Sequence, residues 1–158
     1  MNFDQVTPRL YVGSCPIENA DVDRLKKEIG VTGVLNLQSD DDIAYWRIDW
    51  EKLETHYREA EIEVRHVPVQ DFNPDSLRRG LPRCVEALAE LMEEGRTVYV
   101  HCNAGINRSP TTVIAYLHWR EGKGLEEATA HVLTRRSCQP YVDMIRLASE
   151  DMSSEDMA

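Results

Sequence analysis

Short runs of β-branched and aromatic residues alternate along the chain with longer runs whose apolar positions recur at helical spacing. The strand-like runs are residues 10–12, 31–37, 62–67 and 97–101. Pro68 ends the third run, because proline cannot donate a hydrogen bond to a sheet ladder. This alternation predicts an α/β fold with a central, mostly parallel sheet flanked by helices.

The helical runs have recognisable ends. Residues 19–29 form one pattern that Gly30 closes, and Ser39 with its following aspartates leads into another that ends near Ala60. From Leu81 to Gly95 the apolar positions recur every three or four residues. Further helices are predicted at 110–121, 125–135 and 141–149. We expect one domain over residues 1–150 and a flexible acidic tail over 151–158.

Composition narrows the class of protein. The 158 residues suffice for one hydrophobic core, and no apolar run reaches the roughly 18 residues that span a bilayer. The first five residues lack the basic and apolar pattern of a secretory signal. We therefore expect a monomer without membrane partners in the cytosol, or in an organelle if a transit segment has been removed.

The net charge of −10, from 28 acidic and 18 basic residues, argues against nucleic acid as a partner. Any phosphate site must then be a local positive pocket. The five histidines show no ligand spacing with each other or with the cysteines, so neither a metal nor a cofactor is predicted.

The cysteines lie far apart without a Cys-x-x-Cys pair, which predicts reduced thiols; they are Cys15, Cys84, Cys102 and Cys138. Inert buried thiols are the default for three of them. A reversible disulfide between Cys102 and one of the other three is the alternative.

The candidate chemistry directly follows the run 97–101, in the segment His101-Cys102-Asn103-Ala104-Gly105-Ile106-Asn107-Arg108-Ser109-Pro110. Serine before proline is a helix-start signature, so residues 103–107 form a tight loop and the helix begins just past Arg108. Gly105 and Asn107 tolerate the positive φ that such loops need. The backbone N–H groups and the helix start are predicted to bind phosphate, through Asn103, Ala104, Gly105, Ile106, Asn107 and Arg108.

Within this loop the residue types define catalytic roles. Cys102 is the candidate nucleophile, since the loop dipoles favour its thiolate form. The planar fork of Arg108 can hold two phosphoryl oxygens. Ser109 is a candidate hydrogen-bond donor to the Cys102 sulfur when that sulfur leaves; the alternative for Ser109 is a plain helix cap.

The leaving oxygen needs a proton, and the segment 70–76 offers two carboxyl groups. Asp75 follows Pro74 before a helical pattern and looks like a helix N-cap. Asp71 has no such structural duty, so we favour it as the general acid. A turn-forming aspartate is the alternative role for this residue.

The core around Cys102 and Arg108 resembles that of the dual-specificity branch of the protein tyrosine phosphatase superfamily. Similarity to the plant starch (glucan) phosphatases, relatives of laforin, covers about residues 6–149. It is carried by Arg9-Leu10-Tyr11-Val12-Gly13-Ser14, Leu35-Asn36-Leu37-Gln38, Asp42-Ile43-Ala44-Tyr45-Trp46, Asp71-Phe72, Arg135-Arg136-Ser137-Cys138 and Ile145-Arg146.

The resemblance implies the protein tyrosine phosphatase fold and a phosphatase that forms a cysteinyl-phosphate. It implies that Asp71 is the general acid and that Tyr45, Trp46 and Phe72 contact a glucan chain. Flat aromatic faces suit sugar rings because they offer broad apolar contact without charge. Packing in the core or against a helix is the alternative for the first two aromatic residues.

Several functional alternatives stay open. The loop has Asn107-Arg108-Ser109 where glucan phosphatases usually show Gly-Arg-Ala, and this sequence is nearer that of the protein-directed enzymes. A phosphoprotein is therefore the main alternative to phosphorylated glucan as substrate. A non-catalytic pseudophosphatase that binds phosphorylated ligands and a rhodanese-like sulfur carrier are the alternatives from other classes.

Overall fold

A computed structural model of the protein describes residues 1–157. Its strands are β1 Phe3–Thr7, β2 Leu10–Gly13, β3 Gly33–Asn36, β4 Glu63–His66 and β5 Val98–His101. They form one sheet in the order β1-β2-β5-β3-β4. β1 pairs with β2 antiparallel, and the other three pairings are parallel. The prediction of a mostly parallel central sheet is confirmed.

The helices lie on both sides of this sheet. They are α1 Asn19–Ile29, α2 Asp40–Tyr45, α3 Trp50–Glu59, α4 Pro74–Glu93, α5 Arg108–Trp119, α6 Leu125–Leu133 and α7 Val142–Met157. None of the helices over residues 1–157 combines the length and apolar character needed to cross a bilayer.

Alternation along the strands divides the core into two layers. Val98 and Val100 of β5 face a cluster built from α4, α5, α6 and α7, whereas Tyr99 faces a smaller cluster built from α1 and α3. Because both faces of β5 are covered, this strand is wholly buried, as the compact run 97–101 predicts.

The parallel pairing aligns four strand ends at one edge of the sheet. The last residues of these strands are paired in register: Gly13 of β2 with His101 of β5, His101 with Asn36 of β3, and Asn36 with His66 of β4. The loops that follow these residues therefore meet at this edge. In open α/β sheets the carboxyl ends of the strands are where ligands bind.

Several boundaries differ from the sequence prediction. The helical stretch predicted to end near Ala60 is two helices, α2 and α3, separated by Arg47 in the left-handed region at φ 54°. Helix α4 begins at Pro74, seven residues before Leu81, with Asn73 as its N-cap. Strand β1 was not predicted, because its five residues carry one fully buried position and an irregular pairing with β2.

The acidic C-terminal segment is helical where a flexible tail was predicted. Residues 151–157 continue α7, and Ala158 lies outside the described residues. Arg78 of α4 holds this segment, because its Nε and Nη2 atoms each donate to Asp151 at 2.7 Å. Such a pairing between distant residues cannot be read from local composition.

Replacing Leu88, which is fully buried in α4, by alanine should lower the free energy of unfolding by about 2–5 kcal/mol, because a cavity opens between the helix and the sheet. Urea denaturation measures this. Glu86→Ala, at an exposed position of the same helix, is the matched control and should change stability by about 0.5 kcal/mol or less. Equal losses in the two variants would contradict the assigned packing face.

Candidate active site

The strand end and the helix start place three functional side chains together. Cys102 is buried directly after β5, and its Sγ lies 3.3 Å from the Oγ of Ser109. Helix α5 begins at Arg108, with Asn107 at the N-cap position, so it starts earlier than predicted. Ser109 is therefore in the first turn, and its predicted alternative as the helix cap is wrong.

The loop between Cys102 and Arg108 is held by its carbonyl oxygens. Four consecutive carbonyls each accept a hydrogen bond from a group outside the loop. These bonds are Cys15 N to Asn103 O at 2.8 Å, Arg136 Nη2 to Ala104 O at 3.0 Å, Arg136 Nε to Gly105 O at 2.7 Å and Gln139 N to Ile106 O at 2.8 Å.

The N–H groups of the same four peptides, which belong to residues 104–107, are left free, and so is the N–H of Asn103. Within residues 1–157, the backbone N–H groups of 103–107 donate to no protein acceptor. A run of unpaired N–H groups at a helix start attracts anions, because each carries partial positive charge. The loop therefore has the character of an anion site beside the Cys102 sulfur.

Glycine is required at position 105. Its φ is 70°, and a Cβ there would lie 2.5 Å from the backbone of Gly13 and 2.7 Å from Arg136 Nη2. The prediction for Asn107 is wrong in this respect, since its φ is −116°. Its side chain instead fixes the loop by donating from Nδ2 to Gln139 O at 2.6 Å.

The guanidinium of Arg108 is 2% exposed and is held on one side. Its Nη1 donates to Asp42 Oδ2 at 2.7 Å, to Val69 O at 2.7 Å and to Leu37 O at 3.3 Å. Among the described residues, its Nε and Nη2 have no hydrogen-bond partner. Buried unpaired donors are costly, so their presence on the predicted phosphate-binding arginine indicates a ligand-binding edge.

Asp42 is the anionic partner of Arg108. Burial opposes its ionisation, but hydrogen bonds from Arg108, Asn103 and the Ser39 backbone outweigh burial and lower the pKa of Asp42. The Asn103 side chain also connects two carboxylates, since its Nδ2 lies 2.9 Å from Asp42 Oδ1 and 3.3 Å from Asp71 Oδ2.

The two candidate acids differ in position. Asp71 Oδ2 lies 3.4 Å from Arg108 Nη2, which brings this carboxyl group to the predicted phosphate site. Asp75 is exposed in the first turn of α4. Its expected role as N-cap is wrong, because Asn73 accepts the capping hydrogen bond from Ser76 N at 3.0 Å.

The three aromatic residues lie at the surface. Tyr45 is 78% exposed, Trp46 40% and Phe72 83%. The alternative of core packing is therefore wrong for the first two, whose rings form an edge-to-face pair with centroids 5.4 Å apart. Phe72 has a φ of 54°, and Asp71 Oδ1 accepts a hydrogen bond from its N–H at 3.0 Å.

Trp46 lines a groove of about 480 Å³ beside the phosphate loop. Asn103, Ala104 and Ile106 of that loop form another part of the groove lining. Trp46 therefore lies along a groove that borders the phosphate loop.

The other three cysteines are free thiols. Burial raises the pKa of Cys15 to about 11 and that of Cys84 to about 12. Burial also raises the pKa of Cys138. Thiols are nucleophilic as thiolates, so these three are poor nucleophiles near neutral pH. Across residues 1–157 no group of three His, Cys, Asp or Glu side chains is placed to hold a metal ion.

Two functional residues of this site, Asp42 and Arg136, were not identified from the sequence. Asp42 is 66 positions from Arg108, and its signal in the sequence is the helix-start pattern it forms with Ser39. Arg136 is 5% exposed and reaches the loop from beyond α6, with no spacing that marks this contact.

The fold and the site define a class of protein. The sequence matches the family described as "Dual specificity phosphatase, catalytic domain" over residues 10–145, and the chain belongs to that family. The fold agrees, since the crystal structure of Tk-PTP in its active form superimposes with a TM-score of 0.75 at 22% identity, covering 96% of each chain.

Two relatives are similar to the chain over nearly its whole length. The chain is 34% identical to phosphoglucan phosphatase LSF1, chloroplastic, of Arabidopsis thaliana, covering 96% of this chain and 26% of that protein. It is 31% identical to laforin of Mus musculus, covering 94% of this chain and 48% of that protein. The chain thus spans between a quarter and a half of these relatives.

His101, the last residue of β5, provides a pH-dependent test of how the strand end beside the phosphate loop is buried. Burial lowers its pKa to about 4, and the charge of Arg108 acts in the same direction. An unfolded histidine takes up a proton near pH 6.5, so between pH 6.5 and about 4 the unfolded state binds more protons. Stability conferred by neutral His101 is therefore present above pH 6.5 and is lost as the pH falls through this range.

We expect the wild type to lose stability relative to His101→Gln by about 1 kcal/mol per pH unit between pH 6 and pH 4.5. Urea denaturation of both proteins at each pH measures the difference. Parallel pH profiles would contradict the assignment of a buried neutral imidazole.

Proposed function

We propose that this chain is a phosphomonoesterase that works through a cysteinyl-phosphate on Cys102. The observation that carries the proposal is the loop 103–107, whose carbonyls are anchored outward while its N–H groups are free beside the sulfur. Neither a sulfur carrier nor a packed structural cysteine accounts for a buried Arg108 at the same place whose Nε and Nη2 have no hydrogen-bond partner in the described part of the chain.

In the first step the Cys102 thiolate attacks phosphorus. The sulfur–phosphorus bond forms as the bond from phosphorus to the leaving oxygen breaks, and Asp71 gives that oxygen a proton. Arg108 holds non-bridging oxygens through Nε and Nη2, and the loop N–H groups bind the others. These donors stabilise the charge that spreads over the phosphoryl oxygens in the transition state.

In the second step water attacks the phosphocysteine. Asp71, now a carboxylate, takes a proton from the water, and the sulfur leaves as a thiolate while inorganic phosphate forms. Ser109 supports this step by donating to Sγ across the 3.3 Å contact. The two steps regenerate the starting protonation states of Cys102 and Asp71.

The proposed substrate is a phosphorylated glucan chain. Exposed Tyr45, Trp46 and Phe72 offer flat apolar faces, and Trp46 lies along the groove that reaches the phosphate loop. A neutral polymer is also compatible with the net charge of −10. The relative LSF1 carries the name of a chloroplastic phosphoglucan phosphatase, which favours an organelle over the cytosol as the location.

A phosphoprotein is the second candidate substrate. The observation that favours it is Ser109 after Arg108, where the glucan phosphatases usually show alanine. The two candidates share the chemistry at Cys102 and differ in the contacts made by the aromatic residues.

Asp71→Asn should lower kcat for an alkyl phosphate about 10²-fold or more, because the leaving alkoxide then receives no proton. Asp75→Asn is the matched control and should keep kcat within about twofold, since Asp75 is exposed and is not one of the two carboxylates paired with Arg108 among the described residues. Steady-state rates with alkyl and aryl phosphates measure both. An Asp71→Asn enzyme with wild-type rates would refute the assignment of the acid.

Trp46→Ala should lower kcat/KM for phosphorylated amylopectin about tenfold, and more than for a phosphotyrosine peptide, because a sugar-binding face is lost. Leu133→Ala, an exposed apolar residue outside the groove, should change neither value by more than about twofold. Phosphate release measures both substrates.

Cys102→Ser gives the background rate for these assays. Activity confined to the peptide and indifferent to Trp46 would favour the phosphoprotein. Binding of phosphorylated ligands without any turnover by the wild type would favour the non-catalytic module.

A further inference from the structure

The carboxylate of Asp42 is surrounded by hydrogen-bond donors. Its Oδ2 accepts from Arg108 Nη1 at 2.7 Å and from Ser39 N at 2.9 Å, and its Oδ1 accepts from Asn103 Nδ2 at 2.9 Å. One side chain therefore touches the helix start that precedes Tyr45, the phosphate loop and the arginine.

The contacts of Arg108 divide its guanidinium into two edges. Nη1 is fully used by Asp42 and two backbone carbonyls, whereas within residues 1–157 Nε and Nη2 have no hydrogen-bond partner, and Nη2 has only the Asp71 carboxylate nearby, at 3.4 Å. Because the guanidinium is planar and rigid, fixing Nη1 sets the direction of the other two nitrogens.

Asp42 also supplies the negative charge that balances Arg108 at every stage of the proposed reaction. A buried guanidinium without an anion is strongly unfavourable, and two carboxylates lie near Arg108. Asp71 holds a proton when it acts as the proposed general acid, so it cannot balance Arg108 at that stage. Asp42, whose hydrogen bonds favour the ionised form, can do so throughout the cycle.

We propose that Asp42 is a positioning residue that aims the Nε and Nη2 edge of Arg108 at the phosphoryl group. This inference rests on the phosphoryl-transfer function proposed above. Asp42 does not touch the substrate; it acts through Arg108, and through Asn103 it fixes the position of Asp71 relative to that arginine.

Asp42→Asn tests the proposal with little change of shape. The new amide nitrogen must face one of the three donors. Asn103 cannot turn its own amide to compensate, because its Oδ1 already accepts from Gln38 Nε2 at 2.9 Å. The variant thus loses both a hydrogen bond and the charge that holds Arg108.

The matched control is Ser39→Ala. Ser39 Oγ caps α2 by accepting from Asp42 N at 3.2 Å and makes no contact with Arg108. If Asp42 served only to cap α2, the two variants would lose activity and thermal stability alike.

The experiment measures kcat and KM for a small aryl phosphate, with the thermal midpoint of each protein. We expect Asp42→Asn to lower kcat about 10²-fold, because a misdirected guanidinium no longer matches the transition state. Ser39→Ala should keep kcat within about threefold at a similar or greater loss of thermal midpoint. Equal kcat values in the two variants would overturn the proposal.

A binding measurement separates this inference from the proposed function. Orthovanadate can add a thiolate and take the five-coordinate geometry of the transition state. Its affinity therefore measures whether the guanidinium of Arg108 is correctly oriented, without the need for turnover. By calorimetry, Asp42→Asn should bind vanadate at least about tenfold more weakly than the wild type and Ser39→Ala. A wild type without hydrolysis would refute the function alone, whereas unchanged vanadate affinity in Asp42→Asn would refute the role of Asp42.

Discussion

The outward anchoring of four consecutive carbonyls, from Asn103 to Ile106, is the constraint on which the site depends. A peptide unit cannot turn its oxygen outward without turning its N–H the opposite way, because the unit is planar. The anchors therefore create the anion site, and they are distributed over distant parts of the chain. Their loss would let single peptides rotate and remove donors from the site.

Arg136 contributes two of these anchors and also holds the N-terminal strand. Its Nη1 donates to Asp4 at 2.9 Å and its Nη2 to Asn2 Oδ1 at 2.7 Å. Strand β1, the phosphate loop and the segment after α6 are thus joined through one buried guanidinium. Bidentate and multiple contacts of this kind suit arginine and cannot be reproduced by lysine.

The predictable part of the site is the part that is local in the sequence. Cys102, the loop and Arg108 lie within seven residues between a strand and a helix, so their spacing alone places them together. Gly105 is identifiable for the same reason, since a positive φ in a tight loop is a local property. The fold class follows likewise from the alternation of strands and helices.

The remaining features depend on packing between distant residues. Asp42 reaches Arg108 because the parallel strands β3 and β5 bring the loops that follow them to one edge of the sheet. Arg136 reaches the loop from the segment between α6 and α7, which packing of the helices places there. The same holds for the end of α7, which Arg78 pairs with α4. Asn73 and Asp75 were both candidates for the N-cap of α4, because asparagine and aspartate both favour that position. Only the residue at which the helix begins decides between them, and it selects Asn73.

The most direct test is to trap the covalent intermediate. The wild type is mixed with an aryl phosphate, quenched in acid within one turnover, digested and analysed by mass spectrometry. A phosphoryl group on the peptide that contains Cys102, present only with substrate, is the predicted result. Turnover without any phosphorylated Cys102 peptide, or with the phosphoryl group on another residue, would contradict the account.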